Sequence, residues 1–445
     1  MKNRWLVVLG ALIIQISLGA VYIYSVFKTP LQQMFGWDKA QVSIPAQIVL
    51  VSFALAVIFA GRVQDKIGPK WVATVGGLVL GLGLILAGMT QKFSGGLTWF
   101  TVTFSIIGGI GIGIAYVCPI SACVKWFPDK RGLITGLAVA GFGAGGLVFA
   151  PVAKSLIGSN DVMYAITVLG AIFLVAVVVG AQLLSAPPAG WKPEGWTPPA
   201  AVNATSKVDY TWGEMLATPQ FYLLWLTYFA GCTAGLMIIM NTSTIWQSFS
   251  ANALAVGSTL ESSVFDGIKT AGAAAVGTIA IFNAVGRIAW GKVSDSLGSR
   301  TNTLVIMFIL CAIAMLLLNR FTTYPLFIVG TGVIGFCFGG YLALYPAITA
   351  DYYGTKNVGV NYGFMFTAYG AGGLFGPWLQ AKLVEKAAAL DLLKDGAVSG
   401  TFDVINYKTA FVVSGIMCVL AVLVTKMARA PRPKEAVEKE PCCCS

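Results

Sequence analysis

Long apolar runs alternate with short polar breaks along this chain, and each run has the length that a bilayer demands. A hydrocarbon core takes roughly 20 apolar residues as a helix. Such runs lie near residues 5–27, 42–61, 71–90, 98–123, 132–157 and 162–184, and again near 218–247, 267–290, 301–319, 324–350, 358–380 and 407–427. The pattern predicts an all-α integral membrane protein of twelve transmembrane helices, built as two six-helix bundles. Between the sixes, Ser185 to Gly213 is rich in proline and glycine and carries Lys192, Glu194, Lys207 and Asp209, the composition of a linker. The division that follows is 1–184 for the first bundle, 185–213 for a cytoplasmic linker, 214–429 for the second bundle and 430–445 for a cytoplasmic tail.

Internal repetition supports the division independently of hydropathy. Gly61-Arg62-Val63-Gln64-Asp65-Lys66-Ile67-Gly68-Pro69-Lys70 recurs as Gly291-Lys292-Val293-Ser294-Asp295-Ser296-Leu297-Gly298-Ser299-Arg300, so that 291 less 61 gives an offset of 230. Phe142-Gly143-Ala144-Gly145-Gly146-Leu147 returns as Tyr369-Gly370-Ala371-Gly372-Gly373-Leu374, an offset of 227. One architecture used twice is the signature of carriers whose halves are related by an axis along the membrane normal.

Composition narrows the classes. Of 445 residues, 57% are hydrophobic and 11% charged, against roughly 25% charged in soluble domains. The net charge of +11 does not mark a nucleic-acid face, because the cations sit between apolar runs rather than clustering on a solvated surface. Most of the 29 Lys and Arg fall on one side if both termini are cytoplasmic, which sets that orientation. The apolar start continues through Val26 without a cleavage site, so it reads as the first helix, not a leader. Cys118, Cys123, Cys232, Cys311, Cys337 and Cys418 lie inside apolar runs without metal-ligand spacing and read as packing residues; the Cys442-Cys443-Cys444 tail is unexplained. Histidine is absent, and no nucleophile, base and orienter occur together. Neither an enzyme nor a metal or other cofactor is called for.

Arg287 is the residue that carries chemistry. A central arginine costs roughly 2.5–3.5 kcal/mol on insertion scales, a penalty met by a partner or a wet cavity. Its guanidinium can grip a carboxylate through two parallel hydrogen bonds; the competing reading is that it reaches the nearby helix end. Asn283, four residues earlier, shares its helix face and either holds the guanidinium or bonds between helices. Tyr22, Tyr116, Tyr341 and Tyr345 fall at mid-depth by residue count and suit a cavity wall, as do Phe142 and Phe366, for which packing is the alternative. The glycine runs lack the strand and lysine of a phosphate loop and read as close helix contacts.

The pattern G-x-V-x-D-x-x-G-x-[KR] after the second and eighth helices resembles the signature loop of the major facilitator superfamily. More specifically, Asn3-Arg4-Trp5, Tyr22, Ala115-Tyr116-Val117, the string KWFPDKRG at Lys125 to Gly132, FNAVGR at Phe282 to Arg287, ALYP at Ala343 to Pro346 and NYGF at Asn361 to Phe364 resemble the oxalate:formate antiporter family, whose relatives are the monocarboxylate transporters. The resemblance implies the major facilitator fold, with Arg287 as the substrate-anion ligand and Tyr22 and Tyr116 lining the site. It also implies that Asp65 and Asp295, with Arg62, Lys66 and Arg131 nearby, make inter-helix contacts that hold the cytoplasmic side shut. Departures are informative. Tyr369 stands where the oxalate carriers have a lysine, Phe338 where they have tryptophan, and Asn283 where animal monocarboxylate transporters carry an aspartate implicated in proton coupling.

A dianion calls for two cations in a low-dielectric site, a monoanion for one. The expectation is therefore a monomeric carrier of small monocarboxylates of the lactate, pyruvate or formate type. Proton symport is the preferred mode, carboxylate exchange the alternative, and the bacterial inner membrane the setting. A carboxylate receptor without transport would be expected to bring an appended readout domain.

Overall fold

The computed structural model describes residues 4–38, 41–93, 95–188, 191–193, 209–254 and 259–431. Linker positions Glu194 and Lys207 and the tail from 432, with Cys442 to Cys444, lie outside the described residues. Twelve long helices follow one another. Helix α1 runs over Arg4–Leu18, tightens into a 3-10 segment at Gly19–Ile23 and resumes over Tyr24–Phe35. Then come α2 (Ile44–Ile67), α3 (Pro69–Ala87), and α4, which passes from Gly96–Phe100 through a π segment at Thr101–Ile107 into Gly108–Trp126. Helices α5 (Arg131–Ser159) and α6 (Val162–Leu183) complete the first half. The second half holds α7 (Pro219–Leu254), α8 (Ser262–Leu297), α9 (Arg300–Leu318), α10 (Tyr324–Tyr353), α11 (Val358–Leu383) and α12 (Lys408–Met427).

Among the described residues, eleven helices are long and apolar enough to cross a bilayer. The twelfth, α11, is 26 residues long but diluted by Asn361, Tyr362, Tyr369 and its glycines. Helices α1, α7 and α8 outrun the apolar segments that predicted them, because hydropathy registers only the part of a helix that meets lipid. The repeated loop owes its second glycine to backbone geometry. Gly68 (φ 92°) and Gly298 (φ 62°) end α2 and α8 in a region where a side chain is strained, and the next helix starts at once.

The halves meet crosswise: α2 packs against α11, and α8 against α5 as well as α10. At one end of the molecule these crossings are sealed by charge. The Asp65 carboxylate at the end of α2 accepts the Lys125 ammonium at 3.0 Å and the backbone N–H of Val360, at the start of α11, at 2.9 Å. Asp295, at the same place on α8, accepts the N–H groups of Gly132 and Leu133 at the start of α5, at 3.0 and 2.8 Å. Each acid thus caps a helix of the opposite half, where unpaired N–H groups and the helix dipole favour an anion. Arg131 reaches across to Asp351 at 2.6 Å, and Arg300 joins Asp351 and Asp295 at 2.8 and 2.6 Å. Arg62 and Lys66 are exposed, and Lys125 is the cation on Asp65. Glycines permit the approach, since a Cβ on Gly61 would strike the Gly359 carbonyl and one on Gly291 that of Gly132. We call this end the gate face.

The opposite end carries a small sheet that the apolar pattern did not predict. Strand β1 (Thr259–Glu261) pairs in parallel with β2 (Glu385–Lys394), which pairs antiparallel with β3 (Ala397–Asn406). Asp395 (φ 53°) and Gly396 (φ 79°) make a two-residue turn of the kind that matches strand twist. Phe402 packs on Phe265 of α8, with ring centroids 4.6 Å apart, and the Ile405 N–H donates to Ser248 of α7 at 3.2 Å.

If the Arg131–Asp351 bridge holds the gate face shut, Asp351→Asn should open it. A hydrogen bond to a charged group contributes about 1.5–3 kcal/mol, which moves a two-state balance roughly tenfold or more. With Lys130→Cys and Lys356→Cys spin-labelled, and Cys442, Cys443 and Cys444 replaced by serine, pulsed electron resonance should show a longer-distance population in the variant. An unchanged distribution would show that the bridge does not set the closure.

Candidate functional site

Arg287 lies on α8 where that helix is clasped between α5 and α10. A Cβ on Gly136 of α5 would collide with the Arg287 carbonyl, so α5 can lie against α8 here only because it presents glycine. The side chain is wholly buried and stays inside the protein rather than reaching the helix end. Its Nε donates to the Asn283 side-chain oxygen at 3.0 Å, one turn away, and one terminal nitrogen donates to the Val139 carbonyl of α5 at 2.6 Å. The other terminal nitrogen, Nη2, has no partner. Gly143 leaves room beside the group, because a Cβ there would stand 3.2 Å from Nε. Among the described residues no carboxylate lies within ion-pair reach of Arg287.

One aromatic ring faces this cation and belongs to a cluster drawn from both halves. The Phe142 ring centre is 6.0 Å from the guanidinium carbon, at the limit of a cation–π contact. Phe142 meets Tyr22 at 5.4 Å and Tyr116 at 5.3 Å edge-on. Phe366 of α11 lies 5.0 Å from Tyr116 and stacks on Tyr369 at 4.8 Å. The Tyr22 and Tyr369 hydroxyls are 3.2 Å apart, joining the halves at the centre of the molecule. Such edge-to-face and offset contacts each contribute about 0.5–1.5 kcal/mol beyond area burial, and they hold the rings together as one apolar cluster.

Two members were missed by sequence reasoning. Phe53 of α2 touches four of the rings, at 4.9 Å from Tyr116, 5.1 Å from Phe366, 5.8 Å from Phe142 and 6.3 Å from Tyr369. Tyr362 lies 5.6 Å from Phe366. The internal repeat held a signal for the first, since 283 less 53 is the same 230 that relates the two loops, and Phe53 is the counterpart of Asn283.

The α10 residues lie elsewhere. Tyr341 stacks on Phe308 of α9 at 4.7 Å and covers Gly231 of α7, and Phe338 covers Gly235 of α7. Tyr345 stacks on Tyr228 at 4.0 Å and donates to Thr227 at 2.7 Å. All three are buried between helices of the second half rather than among the rings around Arg287. The site is thus one buried guanidinium with a free N–H edge, held by an amide and a backbone carbonyl, beside an aromatic cluster drawn from two bundles. An open guanidinium N–H edge of this kind is able to donate to an anionic oxygen.

The chain belongs to the major facilitator superfamily: the model of that family matches residues 8–265 and 248–441. It is 28% identical to the oxalate:formate antiporter of Oxalobacter formigenes over 387 residues, covering 86% of this chain and 85% of that protein. It is 22% identical to human monocarboxylate transporter 12, over 98% of this chain and 84% of the relative. The fold matches the proton:xylose symporter XylE with a TM-score of 0.69 at 12% identity, over 96% of each chain. The protein is therefore a multi-pass membrane transporter of small molecules and not an enzyme.

A buried cation without a counter-charge stabilises nothing by itself. Replacing it with an isosteric apolar side chain is expected to add about 1–3 kcal/mol to the unliganded fold. Arg287→Met should raise the thermal unfolding midpoint in detergent by several degrees and abolish any stabilisation by added carboxylate. A midpoint lowered instead would mean that the guanidinium is structural.

Proposed function

We propose that the protein carries small monocarboxylates of the lactate, pyruvate or formate type by alternating access, with Arg287 as the anion ligand. The observation that carries this reading is charge count. Arg287 is the one cation in the chamber among the described residues, and Tyr369 offers a neutral hydroxyl at the place where a second cation would serve a dianion. In a site of effective dielectric about 20, a charge pair at 4 Å interacts by about 4 kcal/mol, so a second carboxylate without a cation is strongly disfavoured. The aromatic walls limit the remainder of the substrate to a short apolar body.

Two coupling modes follow from the same charges. In exchange, one carboxylate leaves only as another arrives: the loaded site is neutral, while the empty occluded site holds an unpaired buried cation, which opposes return of the empty carrier. In proton symport, the proton needs an acceptor. The rings and the Asn283 amide supply none, so in that mode it travels on the substrate's own carboxyl or through the gate acids. The lone guanidinium favours exchange, as does the relative named as an antiporter; symport is the second reading. Arg62, Lys66, Lys125, Lys130, Arg131, Lys292, Arg300 and Lys356 sit at or near the gate face, which supports a cytoplasmic gate face by the positive-inside rule; cytoplasmic termini and a bacterial inner membrane belong to the same reading. A monomeric carrier completes the reading.

The test is uptake of labelled lactate, formate and oxalate into proteoliposomes, either preloaded with unlabelled lactate or empty under an inward proton gradient. Lactate should enter preloaded vesicles rapidly and oxalate at background. Arg287→Ala should lower exchange by about 100-fold or more, the scale set by losing one partner of a buried charge pair. Tyr369→Lys should raise oxalate entry. Lactate uptake that needs only the proton gradient would decide for symport, and oxalate uptake matching lactate in the wild type would overturn the monoanion reading.

A further inference from the structure

Three cations at the gate end have no acid to meet. Arg62 and Lys66 stand on the last turns of α2, and Lys70 follows at the start of α3, just past the Gly68 turn. Among the described residues none of the three makes an ion pair. The described acids at that end are engaged elsewhere. Asp65 is taken by Lys125, Asp129 by Arg4, and Asp295 and Asp351 by Arg300 and Arg131, while Asp209 accepts the Lys356 N–H and Glu214 serves the cap at Thr211. Positive charge is therefore gathered on one corner without a protein counter-ion.

The corner faces lipid. On α2 the exposed side chains Leu55, Phe59, Val63 and Ile67 recur every four residues, the stripe of a helix that meets acyl chains on one side. Arg62 and Lys66 each precede a member of that stripe and are exposed with it. On α3, exposed Trp71, Val75, Leu78 and Leu82 repeat the pattern. With 24 residues, α2 is about 36 Å long at 1.5 Å per residue, against a hydrocarbon core of about 30 Å, so its last turns reach the headgroup layer. Trp71, 61% exposed, is of the residue type that marks this layer. The Lys70 ammonium lies 5.4 Å from the Trp71 ring centre, a cation–π contact that keeps the charge at that depth.

The internal repeat shows that the corner is not a by-product of the fold. At the offset of 230, Arg62 answers to Lys292, Lys66 to Ser296, Lys70 to Arg300 and Trp71 to Thr301. Arg300 is turned into the gate against Asp295 and Asp351, so of these four positions only Lys292 offers an outward charge. We propose that the α2–α3 corner of the first half is a binding site for the headgroup of an anionic phospholipid. The Arg62 guanidinium takes phosphate oxygens in pairs, Lys66 and Lys70 add charge, and the apolar stripes of α2 and α3 seat the acyl chains. Each cation near the headgroup layer strengthens the hold on an anionic lipid. The site is independent of which substrate the carrier takes.

The test is native mass spectrometry of the full chain in detergent with equal amounts of phosphatidylglycerol and phosphatidylcholine of identical acyl chains, so that only the headgroup differs. The wild type should retain one phosphatidylglycerol at about tenfold or more the occupancy of phosphatidylcholine. The combined variant Arg62→Gln, Lys66→Gln, Lys70→Gln should lose that preference, whereas Lys292→Gln, at the matching place in the second half, should keep it. Lys66→Gln alone should lower the preference in part, and it repeats the test on a minimally altered protein should the triple variant fold poorly. Equal retention of the two lipids by the wild type, or a preference unchanged in the variants, overturns the site. An equal loss in Lys292→Gln reduces the effect to general surface charge and overturns it too. Release of phosphatidylglycerol by millimolar inorganic phosphate assigns the corner to a free anion and overturns the lipid assignment.

Discussion

A guanidinium that has left water in the middle of a membrane protein must be held, and what holds Arg287 organises its surroundings. The helix carrying it is pressed against α5 because Gly136 has no side chain, and the same closeness brings the Val139 carbonyl within 2.6 Å of the charge. Asn283 takes a second N–H. Neither partner carries a formal charge, so the positive field is oriented but not cancelled. In the proposed function, the remaining N–H edge and the uncancelled field are what a carboxylate would complete. Because Val139 belongs to the first half and Arg287 to the second, the proposed anion ligand is itself part of the contact between halves. Under the proposed function, occupancy of the site and the relative position of the bundles would be coupled through this one side chain.

Duplication explains why the ends of the molecule are alike while its centre is not. Asp65 and Asp295 perform the same capping task on opposite helices, because the repeated loop brings each acid to the start of a helix of the other half. In the centre the copies have diverged. Phe53 answers to Asn283, Val57 to Arg287, and Phe142 to Tyr369 at the offsets of the repeat. One half brings the charge and its holder, the other mostly apolar wall. A single charge suffices for a single anion, and a symmetric second arginine would repel the first across the chamber.

How far all this was legible depended on the distance over which each feature acts. Apolar run length placed all twelve helices, since lipid imposes it segment by segment. Arg287 was legible as an outlier of composition, and Asn283 by its spacing of four. Asp65 and Asp295 stood out through the repeat, but their partners did not: Arg131 and Asp351 are 220 residues apart, and nothing local pairs them. Arg62 and Lys66 are near Asp65 in sequence yet exposed, because one helical turn points its side chains to several sides. Tyr341, Tyr345 and Phe338 share mid-depth with the chamber, but depth does not decide which face of α10 they occupy. The Asp395-Gly396 turn between alternating apolar residues is a strong hairpin signal, and it was obscured by the surrounding helical pattern.

The sheet opposite the gate gives the two halves unequal mechanics. It laces the α7–α8 connection to the α11–α12 connection through backbone hydrogen bonds, both within the second half. A lever so braced transmits torque without bending. The second bundle is thereby the stiffer of the two at this end, and its bracing does not extend to the first bundle's connections.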